Sequence, residues 1–122
     1  MANPFSIHQS TEQGLSVLAL AGYLDAHTAP EFEKIVQAEF QAGRVQMVVE
    51  CSHLSYISSA GLGVFMSFIE EIRAAGGDIK ICGLAPKVFQ VFDILGFSAL
   101  FDIVPDLPAA VQRFQEAPVK ET

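Results

Sequence analysis

Two hydrophobic periods alternate along this chain. Short apolar runs of strand length are separated by longer stretches whose apolar residues recur every three or four positions. Residues 5–9 alternate apolar and polar, as an edge strand does. Glu12, Gln13 and Gly14 read as a hairpin turn, and 15–21 as a second, half-buried strand. Residues 25–28 lead into a helix. Thr28 followed by Glu31 predicts a capping box, with Pro30 in the first turn. Phe32, Ile35, Val36 and Phe40 share one face of that helix, and Gly43 ends it. The mostly apolar run 45–51 reads as a buried central strand, and 53–58 as a loop.

Ser58 or Ser59 is a natural N-cap for a second helix. Its stripe is Leu62, Phe65, Met66, Ile69 and Ile72, and residues 75–77 close it. A short strand is expected at 79–82. Pro86 opens a third helix and Gly96 closes it, with Val88, Phe92 and Leu95 on one side. Residues 100–104 fit a last strand. Asp106 caps a final helix through Phe114, with Pro108 in its first turn, and the polar stretch 115–122 is expected to fray. The predicted order is β-β-α-β-α-β-α-β-α. Strands joined through helices favour parallel pairing, and the opening hairpin adds an antiparallel part. The fold class is therefore α/β: one domain over 1–115 with a mixed sheet, an N-terminal hairpin and about four helices, then a polar tail at 116–122.

Composition narrows the possible roles. The chain has 122 residues, 51 % of them apolar, enough for a core without disulfides or metals. Its net charge of −7 argues against a nucleic-acid or anionic-membrane surface and leaves proteins as partners. No run reaches the length of a membrane span, and Met1, Ala2, Asn3 and Pro4 do not begin a signal peptide. A cytoplasmic protein is expected. Cys51 and Cys82 sit in separate apolar runs without metal-ligand spacing and read as buried free thiols.

Enzyme chemistry finds little support. Ser59, His27 and Asp25 could form a hydrolase triad, but the G-x-S-x-G elbow is missing. A phosphate-binding loop is also missing, and Gly61-Leu62-Gly63 has no lysine nearby. The three histidines, His8, His27 and His53, are scattered and form no metal set. Neither a catalytic residue nor a cofactor is expected. What remains is a pair of hydroxyls at the start of a helix, in the run Tyr56-Ile57-Ser58-Ser59-Ala60-Gly61-Leu62-Gly63. A helix start offers free N–H groups and partial positive charge, so it tolerates a phosphate. The small residues Ala60 and Gly61 would let another protein approach closely. By local chemistry, a plain N-cap with close helix–sheet packing explains the same residues.

Two longer stretches resemble the anti-sigma factor antagonists, whose fold is the STAS domain. One is Gly22-Tyr23-Leu24-Asp25-Ala26-His27-Thr28-Ala29. The other runs from Val48-Val49-Glu50 through Leu54 to Gly63, with further matches at 75–77, 83–88, Gly96-Phe97 and Leu100-Phe101. The resemblance implies a bacterial, monomeric, non-enzymatic phosphoprotein that regulates transcription by partner switching. Its partners would be an anti-sigma factor serine kinase and a PP2C-type phosphatase. It implies Ser59 as phosphoacceptor, with Ser58 as the alternative where the family often has aspartate. It also matches Glu50 to an acidic or amide position at the end of the central strand, and Asp25 to a strand-end aspartate near the phosphosite. The implied partner surface comprises Asp25, His27, Thr28, Ser58, Ser59, Ala60 and Gly61. A STAS-fold scaffold or small-ligand module without phosphorylation is the alternative.

Overall fold

The computed structural model describes residues 5–116. β1 (Ser6–Glu12) and β2 (Leu15–Leu24) pair antiparallel in unbroken register. Gln13 and Gly14 turn the hairpin with φ of 51° and 84°. Positive φ at both central residues is what a two-residue turn needs to follow strand twist. β3 (Gln46–Ile57), β4 (Asp78–Cys82) and β5 (Asp102–Val104) then add in parallel, in the order β1-β2-β3-β4-β5.

The parallel strands advance in one direction, so right-handed crossovers must place their helices on one face of the sheet. These helices are α1 (Ala29–Gln41), α2 (Ser59–Ala74) and α3 (Pro86–Ile94). Leu18, Leu20, Val49 and Ile81 point into that face, against Phe32, Phe65 and Phe92. Phe65 meets Phe32 and Phe92 edge-on, at 5.2 and 5.9 Å between ring centres. The opposite pleat carries Val17, Val48, Cys82 and Val104, which are covered by Ala110 and Val111 of α4 (Leu107–Gln115). Period-two alternation thus gives each buried strand two apolar faces.

Buried charges are matched. Glu39 of α1 accepts the Ser16 hydroxyl at 2.5 Å and is gripped by Arg44 through Nε at 2.7 Å and Nη2 at 3.0 Å. Lys80 bonds Asp78 and Asp102 at 3.0 and 3.1 Å, with its ammonium 4.7 Å from the centre of the Phe114 ring. Cys51 and Cys82 are free and buried. No described helix is long and apolar enough to cross a membrane.

Five expectations need correction. Met66 and Leu95, expected on the apolar stripes of α2 and α3, are 40 % and 50 % exposed, and Leu95 lies just beyond the end of α3. The central strand does not stop at residue 51; it runs on to Ile57, through the stretch expected to be a loop. Leu54 and Ile57 are buried there, but register shifts against β2 break the alternation that would have marked a strand. Glu50 therefore lies within the strand, its carboxylate accepting the Ser52 N–H at 3.3 Å. Thr28 makes no capping bond to α1. Its hydroxyl turns back, donating to the Tyr23 carbonyl at 2.8 Å and accepting the Asp25 N–H at 2.9 Å. The last strand is only Asp102–Val104, because a 3-10 turn over Phe97–Ala99 precedes it. Met1 to Pro4, and residues 117–122 of the expected tail, lie outside the described residues.

Candidate functional site

The carboxyl ends of β2 and β3 lie side by side, and each leads directly into a helix. Asp25 follows β2. Its Oδ1 accepts the N–H groups of His27 at 3.0 Å and Thr28 at 3.2 Å, folding the four residues into a tight turn. Ser58 follows β3. Its N–H donates to the Leu24 carbonyl at 2.9 Å, so the two turns are joined by backbone one residue before each departs.

Ser58 and Ser59 have different duties. Ser58 is extended, at φ −103° and ψ 174°, and is the N-cap of α2. Its Oγ accepts the Gly61 N–H at 3.4 Å and it is half-buried. Ser59 is the first residue of α2 and is exposed. Among the described residues its hydroxyl has no hydrogen-bond partner. The first turn of this 16-residue helix contains no acidic residue of its own.

Gly61 sets how closely the helix sits. A Cβ there would fall 2.7 Å from Leu24 Cγ and 3.0 Å from Ile57 Cγ1. Without it, the first turn of α2 rests directly on the ends of β2 and β3. Gly61 is consequently buried and shapes the surface from beneath. Ala60 and His27 are exposed, while Asp25 and Thr28 are half-buried. The structure thus places all seven sequence-predicted surface residues beyond the carboxyl ends of β2 and β3, with Gly61 buried beneath the others.

Two residues on this edge were not singled out from the sequence. Tyr23 and Tyr56 are register partners, their rings 5.6 Å apart and tilted by 51°. They are 46 % and 47 % exposed. They border a cavity of about 220 Å³, whose other wall is α3 with Lys87, Val88 and Val91. The signal available in the sequence is one tyrosine just before each of the two turns, and the register shifts in β3 conceal their pairing.

The site's surroundings match known proteins over nearly the whole chain. Residues 7–110 match the STAS domain family. The candidate anti-sigma factor antagonist BtrV of Bordetella bronchiseptica is 32 % identical over 104 residues, covering 85 % of this chain and 90 % of that protein. Among solved structures, an anti-sigma factor antagonist from Mycobacterium paratuberculosis superposes with a TM-score of 0.85 at 20 % identity, covering 92 % of this chain and 95 % of the other. The anti-sigma factor antagonist SpoIIAA in its unphosphorylated form gives 0.78 at 22 % identity, covering 93 % and 100 %. SpoIIAA of Bacillus in its phosphorylated form gives 0.68 at 23 % identity, covering 91 % and 99 %. These structural likenesses carry the fold.

Proposed function

Since the chain belongs to the STAS domain family, we propose that it is an anti-sigma factor antagonist, switched off by phosphorylation of Ser59. BtrV and SpoIIAA, similar along nearly their whole length, are named for that activity, and SpoIIAA has a phosphorylated form. The observation that carries the choice of acceptor is the contrast between neighbours. The Ser58 oxygen is engaged as a cap, whereas Ser59 is exposed at a helix start and its oxygen has no partner among the described residues.

In the unmodified state the Asp25 turn and the first turn of α2 dock on a kinase-type anti-sigma factor in the cytoplasm, which then releases its sigma factor. The kinase transfers the terminal phosphoryl group of ATP to Ser59 Oγ; the hydroxyl proton departs and ADP remains. The product carries about −1.5 to −2 charges at neutral pH. The backbone N–H groups at the start of α2 accommodate that charge without a change of fold. The docked partner does not: a buried, unmatched dianion close to the Asp25 carboxylate opposes association. A PP2C-type phosphatase restores the hydroxyl with water, releasing inorganic phosphate. The protein catalyses no step and works as a monomer.

The test combines the protein, ATP and its kinase-type anti-sigma factor and follows intact mass. Wild type and Ser58→Ala should each gain one phosphate, and Ser59→Ala none. Ser59→Asp should bind the anti-sigma factor at least about tenfold more weakly than wild type. An unmodified wild type, or undiminished labelling of Ser59→Ala, overturns the assignment.

A further inference from the structure

The groove beside the Tyr23–Tyr56 pair lies outside the charge switch, yet it adjoins the same surface. Tyr23 supplies the carbonyl that holds Thr28, and Ile57 in the groove wall immediately precedes Ser58. Docking turns and groove are therefore contiguous and share a backbone frame. We infer that this groove is a second contact for the anti-sigma factor, receiving an apolar side chain flanked by a carboxylate. The inference rests on the partner-binding reading above.

Three features indicate that chemistry. First, two tyrosines with their rings tilted by 51°, each nearly half exposed, form an amphipathic wall, and tyrosines in such positions concentrate binding energy at protein interfaces. Second, the facing wall is aliphatic. Val88 and Val91 close a space of about 220 Å³, suited to one large side chain and too small for a helix. Third, Lys87 is exposed at the rim and forms no salt bridge among the described residues. Among the described residues Arg44, Arg73, Lys80 and Arg113 are all in salt bridges, leaving only Lys34 and Lys87 outside them. In a chain of net charge −7, such a cation on the docking edge selects an acidic group. The groove supplies affinity and partner choice, while Ser59 supplies the on–off control.

The experiment measures binding of full-length wild type, Tyr56→Ala, Lys87→Glu and Ser59→Asp to the same anti-sigma factor by calorimetry. Lys34→Glu serves as the charge control, and circular dichroism confirms each fold. Tyr56→Ala should weaken binding at least about tenfold. Lys87→Glu should weaken it by a similar factor at low salt and less at high salt, while Lys34→Glu should change it less than about twofold. Unmodified Tyr56→Ala should still be phosphorylated at Ser59 when the kinase is in excess. Tight wild-type binding that Tyr56→Ala and Lys87→Glu leave unchanged overturns the groove and spares the proposed function. No wild-type binding overturns both. A wild-type dimer that Tyr56→Ala dissolves assigns the groove to a second copy and overturns the inference.

Discussion

Gly61 and Gly63 stand two residues apart in the first turns of α2 and make opposite demands. A methyl at 61 collides with Leu24 and Ile57, whereas a methyl at 63 meets nothing within 4 Å. Gly61→Ala should therefore cost about 1–3 kcal/mol as the helix is pushed off the strand ends. Gly63→Ala should stabilise by up to about 1 kcal/mol through helix propensity. Urea unfolding of the two variants checks the sign of each. The sequence made both glycines visible as small residues near a helix start. It could not say which one touches the sheet, because the contact is with Leu24, far away along the chain. The Ser58–Ser59 ambiguity has the same origin. Either hydroxyl can cap a helix, and the extended backbone of Ser58, bonded to Leu24, with its Oγ on the Gly61 N–H, distinguishes the cap from the first turn.

At the scale of elements, α1 is tied to β2 through Glu39, a carboxylate almost wholly buried. The hydrogen bond from Arg44 is the main influence holding its carboxyl below the usual range; burial opposes this, and Ser16 adds to it. A carboxyl whose folded pKa lies below its unfolded value stabilises the fold above the unfolded pKa, near 4.5 here. That stability is lost as pH falls through the folded value. Glu39→Gln should cost about 1–3 kcal/mol at pH 7. The deficit should shrink as pH falls below about 4.5, and chemical denaturation of both proteins across that range tests it. Helical stripes make α2 and α3 legible although Met66 and Leu95 fall outside the buried faces, and each helix ends within two residues of the glycine that marks its close. The start of α1 was read as a capping box because Thr28 and Glu31 have the right spacing. The competing bonds to Tyr23 and Asp25 arise from the turn before the helix, where no periodic pattern exists. The far half of β3 was obscured for a related reason, since register shifts interrupt the alternation on which strand reading depends.

For the molecule as a whole, the sheet divides the interior in two, and one cysteine is sealed in each half. Burial raises both thiols, Cys51 well above its ordinary value and Cys82 up to about 12. Thiolate is the reactive form, so the native protein should react negligibly with a disulfide reagent at pH 7.5 and titrate both cysteines once unfolded. Rapid labelling of the native protein would contradict the sealed core. The spatial order of the sheet, β1-β2-β3-β4-β5, also repeats the order of the chain. Each strand after β1 finds a partner already in place when it emerges from synthesis. The hairpin can template β3, and β3 can template β4, so the sheet can grow from its first residues onward during translation. Such vectorial assembly covers the growing edges of β2, β3 and β4 one after another, limiting the interval in which a nascent copy could pair with another through them.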